Sequence, residues 1–96
     1  MDKSKVNAAV EFFTENPYWK EIYENAPSEE CKKHIALNFY YSTFFDEARD
    51  DEEFFKLSED VDNSLSLDDW KYLLKYQGNN PGVVKIKEKI RELTQA

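Results

Sequence analysis

Residues 29–49 read EECKKHIALNFYYSTFFDEAR, and this stretch decides the fold class. Most of its apolar side chains share one wide face at helical spacing, namely Leu37, Tyr40, Tyr41, Phe44 and Ala48. Ile35 and Phe39 form a second apolar face, roughly opposite the first. A helix that is apolar on most of its circumference is normally buried in the middle of a bundle. The sequence therefore predicts a long central helix over residues 29–49.

Helical patterns continue on both sides of this stretch. Further helices are predicted over 4–15, over a short segment that begins at Asn16-Pro17, over 66–77 and over 81–94. Ser28 is expected to cap the helix over 29–49 and Ser66 the helix over 66–77, and Gly78 is expected to end the latter. Phe54 to Leu57 is expected to form a short turn or helix, and residues 58–66 a loop. With two glycines, three prolines and no β-type alternation, residues 1–96 are predicted to form a single all-α domain, a compact bundle of about five short-to-medium helices.

The composition favours a folded chain. Hydrophobic residues make up 41% and aromatic residues 16% of the 96 residues, which is enough apolar material for one core. Cys31 is the single cysteine, so an intrachain disulfide is excluded. Since no signal peptide and no apolar run of roughly 20 residues are visible, we expect a cytoplasmic protein without a membrane partner.

Charge is concentrated in residues 46–69, where eleven acidic residues face only Arg49 and Lys56, a local net charge of −9 in a chain of −7. Such a field repels nucleic acid and attracts basic surfaces, so direct nucleic-acid binding is not expected. Residues 70–96 carry a net charge of +4. One alternative is therefore internal: the basic C-terminal segment folds back and neutralises part of the acidic segment.

The first half of the acidic segment is the predicted partner-binding site, comprising Phe45, Asp46, Glu47, Asp50, Asp51, Glu52 and Glu53. We expect a non-enzymatic protein-interaction module that binds the basic surface of another protein. One specific form is a small acidic inhibitor that mimics nucleic acid, as anti-CRISPR proteins do, or an immunity-like protein that neutralises a basic toxin. That analogy rests on charge and size, not on a motif. Aromatic side chains that project from the main apolar stripes leave a homodimer as a further alternative.

Residues 60–71 give the alternative hypothesis of a divalent-cation site. The alternating positions of a calcium-binding loop are occupied by Asp60, Asp62, Ser64, Ser66 and Asp68. Two features of such a loop fail, because Leu65 replaces the glycine at its sixth position and Lys71 replaces the chelating glutamate at its twelfth. The segment resembles at most a degenerate EF-hand.

No catalytic or cofactor motif is evident. Glu30, Cys31 and His34 lie within one turn of each other, but zinc would need further nitrogen or sulfur ligands that the chain lacks. A Cys–His pair would need an orienting third group and an oxyanion hole. Phosphate-binding glycine loops are excluded because the chain has only two glycines. Neither enzymatic activity nor a cofactor is expected.

Overall fold

The computed structural model describes residues 2–77 and 82–95, and these residues form helices without any strand. Seven helices lie within those ranges: α1 (Lys3–Thr14), α2 (Pro17–Glu24), α3 (Glu29–Thr43), α4 (Phe45–Ala48), α5 (Glu52–Ser64), α6 (Leu67–Gln77) and α7 (Gly82–Thr94). The all-α prediction is confirmed, although with seven helices instead of about five. The prediction that Gly78 ends a helix, and the predicted start at residue 81, lie outside the described residues.

Side-chain caps set several of the helix boundaries. Asn16 Oδ1 accepts a hydrogen bond from the Tyr18 amide (2.9 Å), and Ser28 Oγ accepts one from the Cys31 amide (3.1 Å). Ser66 and Asp69 form a reciprocal capping pair before α6, since each backbone amide donates to the other's side chain. The predicted helix starts at these three caps are confirmed.

The central helix is shorter than predicted. Helix α3 ends at Thr43, and Phe44 leaves the helical region (φ −119°, ψ 46°) while its amide still donates to the Tyr40 carbonyl at 2.8 Å. The prediction of one continuous helix over 29–49 is therefore wrong. Ser42 and Thr43 are poor helix formers, and the bend after them lets the fully buried Ala48 on α4 reach the core.

The predicted loop over residues 58–66 is also wrong, because α5 extends to Ser64. Asp51 begins this helix by accepting a hydrogen bond from the Phe54 amide at 3.2 Å, and Glu52 and Glu53 complement the helix dipole. Phe54 and Val61 lie two turns apart and are both buried. Burial of that face holds the segment in a helix despite its many charges.

The core is formed where α1, α2 and α5 pack against α3, with α6 and α7 packed on each other. Phe13 of α1 stacks on Phe39 of α3 with ring centroids 4.4 Å apart, and Trp19 of α2 meets the same ring edge-on. Trp70 of α6 is almost completely buried. The Cα radius of gyration of 13.1 Å is that of a compact chain of this length. Among the described helices, none has the length and apolar character needed to cross a bilayer.

Candidate functional site

Three rings form an aromatic patch beside the bend between α3 and α4: Tyr41, Phe45 and Phe55. Tyr41 meets Phe45 edge-on at 5.2 Å and Phe55 at 6.4 Å between ring centroids. It also stacks on the buried Phe54 at 5.8 Å, so the core holds the patch in place. Phe45 and Phe55 nevertheless remain 47% exposed each. Exposed aromatic rings that are fixed in position are typical of protein-binding surfaces.

Four exposed carboxylates lie within five residues of Phe45 or Phe55 in the sequence. We call them the acidic rim: Asp46, Asp50, Glu52 and Glu53. Asp46 is adjacent to Phe45 on α4, whereas Glu52 and Glu53 occupy the first turn of α5, immediately before Phe54 and Phe55. Tyr41 contacts a ring at the start of each of these helices, Phe45 on α4 and Phe55 on α5.

Two predicted site residues have structural roles instead. Glu47 forms an ion pair with Lys5 of α1, which ties α4 to the N-terminal helix. Asp51 caps α5, and the hydrogen bond from the Phe54 amide lowers the pKa of its carboxyl group although desolvation acts in the opposite direction. Substitution of Asp51 would remove a helix cap and substitution of Glu47 an ion pair between helices, so neither change would alter the surface charge alone.

Arg49 is the basic residue within the site. Its guanidinium carbon lies 6.0 Å from the centroid of the Phe45 ring, within cation–π range. Its Nε atom lies 3.6 Å from Oδ2 of Asp50. Both side chains of this ion pair are largely exposed, so the pair is weak.

A buried polar cluster lies next to the aromatic patch, and it links three helices. Asp62 of α5, only 6% exposed, accepts hydrogen bonds from His34 Nδ1 of α3 (2.8 Å) and from Lys85 Nζ of α7. Asn38 Nδ2 lies 3.2 Å from His34 Nε2. Because an ionised carboxylate can only accept hydrogen bonds, His34 Nδ1 is the donor to Asp62. In the part of the chain that the structure describes, no buried side-chain nitrogen or oxygen lacks a hydrogen-bond partner.

The charge of Asp62 is stabilised by these contacts. Burial by itself would raise the pKa of its carboxyl group, but the hydrogen bonds from His34 and Lys85 outweigh that effect and hold the pKa below its usual value. The contact with Lys85 joins the acidic segment to the basic C-terminal segment, as the internal alternative expected. A groove of about 500 Å³ beside the cluster is lined by Asp62 and Lys85 together with Tyr41 and Phe55, so it is continuous with the aromatic patch.

The residues of the cation-site hypothesis do not form a loop. Asp60, Asp62 and Ser64 lie on α5, where alternate residues point about 200° apart, away from any common centre. Asp62 is buried in the polar cluster, Ser66 caps α6, and Asp68 is exposed on α6. Within residues 2–77 and 82–95, no group of three or more metal-binding side chains is close enough to hold an ion. The hypothesis thus loses the geometry on which it depended.

Glu30, Cys31 and His34 do not converge either. Glu30 contacts Lys33 and Ser64, whereas His34 faces Asp62. Cys31 is completely buried, and desolvation, with a smaller contribution from the charge of Asp69, raises the pKa of its thiol to about 12. A thiol in that state is a core side chain and a poor nucleophile.

The sequence analysis missed Tyr41 and Phe55 as site residues, because Tyr41 was assigned to the core and Phe55 to a short turn. Comparison with family models, with curated proteins and with solved structures gave no match for this chain. Its function is therefore inferred from its own contacts and charges.

Proposed function

We propose that this chain is a non-enzymatic protein-binding module that covers a basic surface of another protein with the aromatic patch and the acidic rim. One observation carries the proposal: Phe45 and Phe55 are packed against Tyr41 and yet remain 47% exposed, and exposed carboxylates flank both rings in the sequence. An apolar centre with a charged border is the usual anatomy of a protein interface. The residues that flank the patch in the sequence carry mostly negative charge, and this favours a basic partner.

The two parts of the surface would contribute in different ways. Complete burial of a phenylalanine side chain is worth roughly 1.5–3 kcal/mol, so covering the exposed half of each ring would add about 1 kcal/mol to binding. The acidic rim would mainly accelerate association with a positively charged partner and select against negatively charged ones. Because the rings already pack on core residues, little side-chain entropy would be lost on binding.

The specific form that we propose is an acidic inhibitor that occupies the nucleic-acid groove of a basic protein, or an immunity-like protein that neutralises a basic toxin. The net charge of −7 and the exposed carboxylates of two successive helix starts support this form. Carboxylates in those positions could take the place of phosphates at a basic groove. Competition between this protein and nucleic acid for the captured partner would test this form directly.

The test of the general proposal is a charge reversal confined to the rim. The rim variant replaces Asp46, Asp50 and Glu52 with lysine and leaves the structural residues Glu47 and Asp51 unchanged. The matched control replaces three other exposed acids with lysine: Glu11 on α1, Glu15 directly after α1 and Glu24 on α2. Far-ultraviolet circular dichroism and thermal melting would verify that both variants remain helical.

Wild type and both variants would be used to capture proteins from a lysate of the native host, and the captured partner would then be titrated by calorimetry. We expect the rim variant to bind at least about tenfold more weakly at low salt, and the control to bind much as wild type does. The affinity of wild type should fall as salt rises. Equal binding by the rim variant and the control would contradict the proposal.

A second pair of measurements separates a foreign partner from a second copy of this chain. Replacing Phe45 and Phe55 with serine should weaken capture without changing the oligomeric state seen by light scattering. If wild type is instead a dimer that the serine variant converts to a monomer, the patch is a self-association surface and the proposed function is wrong.

A further inference from the structure

We infer that the partner presents an arginine side chain to Phe45, and that Arg49 occupies the place of that arginine in the free protein. The inference rests on the proposed function and specifies the chemistry of its partner. It starts from the contact between the guanidinium group of Arg49 and the Phe45 ring, which are 6.0 Å apart. A cation therefore already contacts the ring that, under the proposed function, the partner would cover.

The surroundings of Arg49 match the requirements of a guanidinium group. Phe45 offers an aromatic ring, and the Asp50 carboxylate lies 3.6 Å from Arg49 Nε. Asp46, adjacent to Phe45, provides a second exposed carboxylate in the same helix. An aromatic ring and a carboxylate that one side chain can reach together suit arginine better than lysine, because the planar guanidinium group can stack on the ring while its N–H groups donate to the carboxylate. A compact, strongly hydrated ammonium group gains less from this combination.

The contacts of Arg49 are weak enough for another cation to displace its guanidinium group. Both members of its ion pair are largely exposed, and exposed ion pairs contribute little because water and salt screen them. Cation–π contacts at exposed sites are similarly modest. An arginine on a docked partner would make the same two contacts in a partly desolvated interface, where both are stronger. Arg49 therefore competes with the partner, and its positive charge also repels a basic surface.

Removal of Arg49 should consequently strengthen partner binding. Freeing the Phe45 ring from a cation–π contact of ordinary exposed strength predicts a gain of about two- to fivefold for Arg49→Ala. Lys56→Ala is the matched control. Lys56 is an exposed residue of α5, and its replacement removes the same charge from the same acidic segment. A gain that reflected net charge alone would be equal in the two variants.

The experiment uses two synthetic peptides of equal length and charge, each with three basic residues separated by glycine, one with arginine and one with lysine. The full-length protein, labelled with ¹³C on its aromatic residues, is titrated with each peptide. We expect the arginine peptide to shift the Phe45, Tyr41 and Phe55 ring resonances, and to bind several-fold more tightly than the lysine peptide. We also expect Arg49→Ala, but not Lys56→Ala, to bind the arginine peptide about two- to fivefold more tightly than wild type.

Equal affinities for the two peptides, no shift of the Phe45 ring, or an equal gain in the two variants would each overturn the inference. These outcomes are independent of the rim charge reversal. If that reversal abolishes binding of the captured partner while the two peptides bind alike, the proposed function stands and the arginine assignment fails. If arginine selectivity is observed but the reversal leaves the captured partner bound, the proposed function fails instead.

Discussion

Replacement of Asp62 with alanine should destabilise the protein severely, because one buried carboxylate connects three helices. The variant leaves His34 Nδ1 without its acceptor, and the His34 side chain is only 12% exposed. An unsatisfied buried donor costs about 1–3 kcal/mol. Lys85 also loses its partner, but this side chain is 58% exposed and water can solvate it, so its share is at most about 1 kcal/mol. The expected loss in the free energy of unfolding is about 1–4 kcal/mol.

Urea unfolding, followed by tryptophan fluorescence, measures this loss. Trp70 is suited to the assay because it is buried and its ring lies 5.7 Å from the His34 ring, edge to face. The midpoint should fall for Asp62→Ala while the slope of the transition stays constant, which separates a stability effect from a change in the unfolded state.

Lys85→Ala serves as the control, and it should cost less than Asp62→Ala because Asp62 would keep its hydrogen bond from the buried histidine. A loss below about 1 kcal/mol for Asp62→Ala would show that the cluster contributes little beyond solvation. A loss for Lys85→Ala as large as that for Asp62→Ala would show that the exposed ion pair, and not the buried histidine contact, holds the helices together. Either result would refute the reasoning.

Two further predictions follow from individual carboxylates. The pKa of Asp62 in the folded protein lies below its usual value of 3.8. Its contribution to stability is therefore fully present above about pH 4 and is lost as the pH falls through the folded pKa. Urea midpoints measured from pH 6 to pH 2 should fall more steeply for wild type than for Asp62→Ala, and parallel curves would contradict this. Asp51→Ala should lower the free energy of unfolding by about 0.5–2 kcal/mol, measured in urea, because it removes the cap of α5. The carboxylate of Asp50 is exposed, so Asp50→Ala should change stability by less than about 0.5 kcal/mol. Equal costs for the two variants would disprove the capping role.

Local signals were sufficient for several elements of the fold. Asn16, Ser28 and Ser66 marked helix starts correctly, because a cap depends on a hydrogen bond to an amide only two or three residues away. Helix α5 escaped prediction because its many charges obscured the spacing of Phe54 and Val61. The cap of Asp51, followed by two acids in the first turn, was the local signal that could have revealed it.

Local sequence signals predicted only part of the candidate site. The sequence prediction named Phe45 and the acids of the rim, and the structure shows these side chains exposed. The division of the acids into surface and structural residues could not be predicted, because Glu47 is paired with Lys5, 42 positions earlier in the chain. The contribution of Tyr41 and Phe55 depends on the bend after Thr43, which decides where α4 and α5 lie relative to α3.

The sequence by itself determined the all-α class, the caps and the concentration of negative charge, because each depends on residues within about one helical turn or on composition alone. Only the tertiary structure decided which acids face solvent and which are buried. Asp62 meets His34 across 28 positions and Lys85 across 23. Such pairings depend on how the helices pack, since a carboxylate can be buried only where the fold brings hydrogen-bond donors to it.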